Sequence, residues 1–150
     1  QQGDFDSWEK GAYVYKENHF YKLISPNVLP AEYPIVKGLA DGNACYVDRS
    51  YTYSNVPHFL QGAVYIKTAN SDKNNMADPL LSFDVNTDAT VYVAFDNRVP
   101  IPFWLSDFTD TGYDLRTDSS FSIYAKDFPA GSVALGPNGH KGSMYTVIVK

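Results

Sequence analysis

Short aromatic and apolar segments, separated by clusters of Gly, Pro, Asn and Asp, are the feature that most constrains the fold of this 150-residue chain. Residues 90–96 (TVYVAFD) show the pattern most clearly, because Val91, Val93 and Phe95 alternate with polar or smaller residues. Such alternation is typical of a strand that has one face in the core. No window of 11 or more residues shows a helical period. The sequence therefore predicts an all-β, jelly-roll-like antiparallel β-sandwich.

The composition favours the same fold class. The chain contains 12 Tyr and 9 Phe, which pack well on a half-buried pleated sheet. Asp far outnumbers Glu, and Asp favours turns whereas Glu favours helices. A chain of this length forms one domain. We expect residues 1–150 to be a single β-sandwich domain excised from a larger multidomain protein.

The predicted strands follow one another at short intervals. They cover residues 11–16, 19–24, 44–48, 50–54, 63–69, 80–85, 90–96, 121–126, 132–135 and 144–149. The first two are expected to form a hairpin, and a helical turn is expected after Pro102. The last strand is apolar on both faces, which indicates a central position in its sheet.

Charge and cysteine content exclude several classes of protein. The net charge of -5 argues against a nucleic-acid partner, which would need a basic surface. No apolar stretch of about 18 residues is present, so no membrane partner is predicted. A single cysteine, Cys45, excludes an internal disulfide and a Cys-based zinc site, and it is expected to be a buried strand residue. No cofactor is predicted.

Calcium is the one metal for which the sequence offers a partial signal. Residues 70–74 (NSDKN) place side-chain oxygens at alternate positions, as at the start of an EF-hand loop. Asn75 then stands where such a loop needs Gly, and Leu81 stands where it needs Glu. A polar loop without metal is preferred, and a structural calcium ion is the alternative.

Carboxylates could also carry catalysis. Asp84 and Asp96 fall on neighbouring predicted strands, and Asp107, Asp110 and Asp114 are expected to share one loop. A glycosidase would need two such groups about 5–9.5 Å apart. Loop aspartates more often accept hydrogen bonds from nearby backbone N–H groups. No catalytic residue is predicted.

The candidate ligand-binding residues are aromatic and polar. Trp104 and Tyr113 follow the strand that ends near Asp96 and Arg98, and Lys73 ends an earlier segment. An aromatic ring can stack on the apolar face of a sugar while charged groups bind its hydroxyls. The Arg98 guanidinium could also bind a carboxylate or a sulfate of an acidic glycan.

Each of these residues also has a structural alternative. Trp104 could fill the core beneath a loop. Arg98 could pair with Asp96 or Asp107 and fix that loop in place. Lys73 could be a solvated loop residue. The sequence leaves these alternatives open.

Three segments resemble accessory domains of secreted bacterial polysaccharide-degrading enzymes. They are residues 60–73 (LQGAVYIKTANSDK), residues 91–98 (VYVAFDNR) with 102–105 (PFWL), and residues 124–136 (YAKDFPAGSVALG). The resemblance implies a non-catalytic module similar to a carbohydrate-binding module, in an extracellular protein. It also implies an attached catalytic domain in the parent chain and a polysaccharide partner, with an acidic or sulfated one among the options.

Two other functions are kept as alternatives. One is a structural or adhesion domain without sugar binding, in which Trp104 and Tyr113 would be buried. The other is a small glycan lyase or hydrolase that uses Asp107, Asp110 and Asp114.

Overall fold

The computed structural model describes residues 21–23, 33–139 and 141–150, and for residues 21–23 it describes the backbone alone. The strands in this part of the chain are β1 (Tyr21–Leu23), β2 (Ile35–Val36), β3 (Val64–Ile66), β4 (Leu81–Val85), β5 (Ala89–Asp96), β6 (Thr109–Arg116), β7 (Ser120–Phe128), β8 (Gly131–Leu135) and β9 (Thr146–Val149). The pairs between these strands are antiparallel. The predicted all-β antiparallel sandwich is confirmed.

The described strands form two sheets. The smaller has the order β1-β4-β8, and the larger has the order β2-β3-β9-β5-β7-β6. The predicted strand at 11–16 lies outside the described residues, so its pairing is not described, whereas β1 pairs with β4. Strand β9 lies between β3 and β5 and is buried at all four positions. Its predicted central position is confirmed, because a strand that is apolar on both faces gains most where both faces are covered.

The helical structure of the described residues consists of short 3-10 helices. These are His58–Leu60, Asn70–Asn74 and Phe103–Asp107. The third confirms the helical turn expected after Pro102. Within the described ranges, no helix has the length and hydropathy needed to cross a membrane.

The two strands predicted at 44–48 and 50–54 are wrong. This segment makes isolated bridges, such as Ala44 with Thr52 and Ser54 with Arg116, and no continuous ladder. Two of its tyrosines instead donate hydrogen bonds to β9 and to the residues just before it. The Tyr46 hydroxyl donates to the Met144 carbonyl at 2.6 Å, and the Tyr53 hydroxyl donates to Thr146 Oγ1 at 3.0 Å. The segment therefore covers one face of the larger sheet. Cys45 is buried with a free thiol, as expected, although it does not lie in a strand.

The prediction that Asp107, Asp110 and Asp114 share one loop is also wrong. Asp110 and Asp114 lie on β6, the edge strand of the larger sheet, on either side of a register irregularity. Leu115 is the buried residue of this strand, and most of its other side chains are exposed. An edge strand that buries so little shows no apolar alternation in the sequence, which is why the pattern did not reveal it.

Candidate functional site

An ion pair with a buried carboxylate and a half-exposed guanidinium lies at the end of β5. The side chain of Asp96 is 0% exposed and that of Arg98 is 49% exposed. Arg98 Nη2 donates to Asp96 Oδ2 at 2.6 Å, and Arg98 Nε donates to Oδ1 at 3.0 Å. The Arg98 backbone N–H also donates to Oδ1, at 2.9 Å. The arginine thus folds back on the carboxylate two residues before it and closes the turn that follows β5.

Two residues from distant parts of the chain complete this arrangement, which we call the Arg98 cluster (Asp96, Arg98, Asp118 and Ser143). The Ser143 backbone N–H donates to Asp96 Oδ2 at 2.8 Å, and its hydroxyl donates to the Asp118 carboxylate at 3.0 Å. Arg98 Nη2 lies 3.0 Å from Asp118 Oδ2. Gly142 packs so closely that a Cβ there would lie 2.4 Å from Asp96 Oδ2. The cluster therefore joins three loops.

The electrostatics of the Arg98 cluster favour a structural ion-pair network. Burial alone would raise the pKa of Asp96, but the hydrogen bonds donated by Arg98 and Ser143 outweigh it, and the pKa lies below its usual value. The same balance lowers the pKa of Asp118, and the bonds to Asp96 raise the pKa of Arg98. Two carboxylates face one guanidinium, so the cluster carries a net negative charge. It does not attract anions by charge alone.

Trp104 lies on the third 3-10 helix and is packed on several sides. Its indole N–H donates to the Pro137 carbonyl at 2.8 Å. Its ring centroid lies 5.2 Å from that of Tyr145 and 6.2 Å from that of Phe108. A Cβ on Gly136 would lie 2.4 Å from its Cδ1 atom. These contacts match the core-filling alternative, and sugar binding by Trp104 stays a prediction.

The other two candidate residues lie elsewhere. Tyr113 is on edge strand β6 and is 54% exposed, and its ring centroid lies 5.0 Å from that of Phe59. Lys73 is on the second 3-10 helix and is partly buried. The structure therefore joins Asp96 with Arg98 and places Tyr113 two strands away from β5. The pairing of Arg98 with Asp96 was expected from the sequence, whereas its second partner is Asp118 and not Asp107.

The acids considered for catalysis are engaged separately. Asp107 pairs with Lys126 at 3.8 Å, and Asp110 accepts a hydrogen bond from the Gly112 backbone N–H at 2.9 Å. Asp84 lies on β4 in the smaller sheet and accepts a hydrogen bond from Ser132 at 2.8 Å. The interaction of Asp110 is the turn chemistry that the sequence favoured.

The polar residues considered for calcium form the second 3-10 helix. Asn70 and Asp72 are buried. Asn70 Oδ1 accepts a hydrogen bond from the Met144 backbone N–H at 2.8 Å, and Asp72 accepts one from the Tyr33 hydroxyl. Asp48 receives the Asn70 and Ser71 backbone N–H groups at 2.7 and 3.0 Å. These oxygens bind different protein donors and so hold the helix onto the core.

Asp72 should give the fold a measurable pH dependence. Burial raises its pKa to about 6, with the Tyr33 hydrogen bond opposing and the Asp48 charge adding to the rise. The folded state therefore holds a proton that the unfolded state releases near pH 4, so this group contributes stability that is lost as pH rises toward 6. Because of Asp72, the free energy of unfolding of the unmodified chain should be about 2 kcal/mol lower at pH 7.5 than at pH 4.5. We expect Asp72→Asn to abolish this decrease. Urea unfolding of both proteins at the two pH values checks this, and identical pH profiles would contradict it.

Sequence reasoning missed three residues that matter here. Asp118 and Ser143 complete the Arg98 cluster from positions 20 and 45 residues beyond Arg98. Phe103 is 92% exposed, although its neighbour Trp104 is packed. No local signal distinguishes these two adjacent aromatic residues. They differ because they lie on different sides of a short 3-10 helix, where Phe103 is exposed to solvent and Trp104 packs against Phe108 and Tyr145.

The chain is similar to parts of known proteins. No family model matches the chain. A β-glucuronidase from Formosa agariphila is 32% identical over an aligned length of 117 residues, and the alignment covers 73% of this chain and 12% of that protein. A solved β-glucuronidase from glycoside hydrolase family 2 has a TM-score of 0.79 and 26% identity, over 87% of this chain and 14% of that one. The chain is homologous to one region of a β-glucuronidase.

A second solved structure shares the fold alone. This protein, a GH138 enzyme that targets pectin rhamnogalacturonan II, has a TM-score of 0.56 and 15% identity, over 98% of this chain and 18% of that one. Both solved proteins are several times longer than the region that is similar to this chain. The coarser part of the predicted relationship, homology to a region of a glycoside hydrolase, is supported, and the assignment as a carbohydrate-binding module stays a prediction.

Proposed function

We propose that this chain is a non-catalytic accessory module of a secreted bacterial glycoside hydrolase and that it binds the glycan on which the attached catalytic domain acts. One observation carries the proposal. Most of the chain matches a single stretch that makes up only 12–14% of a β-glucuronidase. A separate β-sandwich within a much larger glycosidase is a natural unit for holding the enzyme on its polymer.

The mechanism is equilibrium binding. Aromatic side chains stack on sugar faces, and carboxylate, hydroxyl and amide groups bind the hydroxyls. An open site of this kind has a dissociation constant in the micromolar to millimolar range, about -8 to -4 kcal/mol. Sugar binding by Asp96, Arg98, Trp104, Tyr113 or Lys73 stays the prediction made from the sequence.

Native affinity electrophoresis tests the proposal. The chain is run through gels that contain a neutral galactan, polygalacturonate or a sulfated galactan, each with and without EDTA. Retardation by at least one polymer, without release of sugar from it, is the expected result. Failure of every polymer to retard the chain would overturn the proposal, and release of sugar would replace it with a lyase or hydrolase. Retardation that EDTA abolishes would establish a required cation.

One observation favours a structural role as the second candidate. Phe103 is 92% exposed and Ile101 beside it is about half exposed, so this loop presents apolar surface to solvent. A structural domain would pack this loop against another part of the parent enzyme. It would bind no polysaccharide, and Phe103→Asp would weaken its association with the rest of that enzyme added in trans. The exposed side chain of Tyr113 does not match the burial that this alternative predicted.

A further inference from the structure

One face of the larger sheet is covered at one end and open at the other. Strand pairing places Ala94, Ile123 and Thr146 on the same face, and all three are buried. The covering segment supplies Tyr53, whose hydroxyl donates to Thr146 and whose ring packs against Tyr65 at 5.3 Å. Tyr92, two residues earlier along β5 than Ala94, is only partly buried.

Phe59 marks the edge of that cover. Its ring centroid lies 5.7 Å from that of Tyr92 and 5.0 Å from that of Tyr113. The three rings join the outer edge strand β6 to strand β5 across the small residue Ala125, which pairs with Tyr92. Tyr113 leaves more than half of its surface to solvent. This wall of aromatic rings borders the uncovered part of the sheet.

Polar side chains occupy the uncovered part. Thr90, Asp127 and Lys150 lie side by side on the same face as Tyr92, because Thr90 pairs with Asp127 and exchanges backbone hydrogen bonds with Lys150. The Thr90 hydroxyl donates to Asp127 Oδ1 at 2.7 Å. Asp127 is exposed, so its second oxygen can accept a hydrogen bond from a ligand.

Two surface concavities meet at Asp127. One, of about 460 Å³, is lined by residues that include Asp88, Thr90 and Lys150. The other, of about 330 Å³, includes Asp107 and Thr109. Because Asp127 lines both, the two concavities adjoin, and we call them together the groove.

We propose that this groove, centred on Asp127, binds a neutral glycan chain together with the neighbouring rings of Phe59, Tyr92 and Tyr113. The inference rests on the proposed function and names the site and the class of its ligand. Aromatic rings supply the stacking surface, and Asp127 with Thr90 supplies acceptors for sugar hydroxyls. Asp88, Asp107 and Asp127 all line the groove, against Lys126 and Lys150. This excess of carboxylates disfavours uronate and sulfate groups, which would meet like charges.

The inference also separates the ligand site from the Arg98 cluster. Arg98 is held by two carboxylates, and Trp104 packs against Tyr145 and donates to the Pro137 carbonyl. Of the five candidate residues from the sequence, Tyr113 is the one that belongs to the aromatic rings beside the groove. Arg98 and Trp104 then act by holding the fold.

Affinity electrophoresis of variants tests the site. Tyr113→Ala and Asp127→Asn are both exposed changes, and each is expected to weaken binding to the neutral galactan about tenfold. Asp127→Asn should also increase retardation by polygalacturonate, because it removes a like charge from the groove. Phe103→Ala is the matched control, since it removes an exposed aromatic ring outside the groove, and it should bind as the unmodified chain does.

The outcomes separate the site from the function. If the unmodified chain is retarded and both groove variants bind equally well, the groove is wrong while the proposed function stands. Stronger retardation by polygalacturonate or the sulfated galactan than by the neutral galactan would likewise overturn the groove assignment. If no polymer retards the unmodified chain, the proposed function and the groove both fall.

Discussion

An Asp96→Asn variant is expected to lose about 3 kcal/mol of the free energy of unfolding at pH 7. The amide lacks the negative charge that pairs with Arg98 and keeps only one acceptor oxygen, and its NH₂ group faces the donors of Arg98 or Ser143. The expected loss is at the lower end of the range for breaking a buried pair, because about half of the Arg98 side chain reaches solvent. Urea unfolding monitored by tryptophan fluorescence measures it.

The effect of Asp96→Asn should depend on pH with a definite sign. The pKa of Asp96 in the folded state lies below its usual value, so the carboxylate contributes stability above about pH 4. That contribution is lost as pH falls through the folded pKa. The difference between the variant and the unmodified chain should therefore shrink at pH 3 and below.

Asp84→Asn is the control for this experiment. Asp84 also accepts a hydrogen bond from a serine, but it lies on β4 and that bond is exposed. A surface change of this kind is expected to alter stability by no more than about 0.5 kcal/mol. Equal effects of the two substitutions at pH 7 would contradict the structural role assigned to the Arg98 cluster.

The second large effect is expected at Trp104. Trp104→Ala should destabilise the fold by about 3 kcal/mol, because it leaves a cavity between Phe108 and Tyr145 and frees the Pro137 carbonyl of its donor. Phe103→Ala, one residue earlier, removes a ring that is 92% exposed and should change stability by about 0.5 kcal/mol or less. Similar losses from both substitutions would contradict the packing of Trp104.

Gly136 provides an independent test of the same contact. A Cβ there would lie 2.4 Å from Trp104 Cδ1, so Gly136→Ala should cost about 1–3 kcal/mol through overpacking. In a Trp104→Ala background the added methyl group enters the cavity, and most of that cost should vanish. A double-mutant cycle measures the coupling between the two positions. Additive effects would show that the indole does not press on Gly136.

The sequence by itself determined the all-β class and the strands that bury a regular side-chain pattern. Val91, Val93 and Phe95 face the core as their alternation predicts, and β9 is central because it is apolar on both faces. These features are local, since a period of two is a property of one strand and the core that it faces. The region of homology to β-glucuronidase agrees with the resemblance that the sequence showed to accessory domains.

The tertiary structure alone decided how the polar and aromatic residues are used. Asp96 is held by Arg98 from its own turn but also by Ser143, 47 residues later in the chain, and Trp104 is fixed by Gly136 and Pro137. The exposed edge strand β6 also carries no apolar period. A local pattern tells which face of a strand is apolar. The partner of a buried carboxylate or indole comes from a distant segment, and only the folded chain brings the two together.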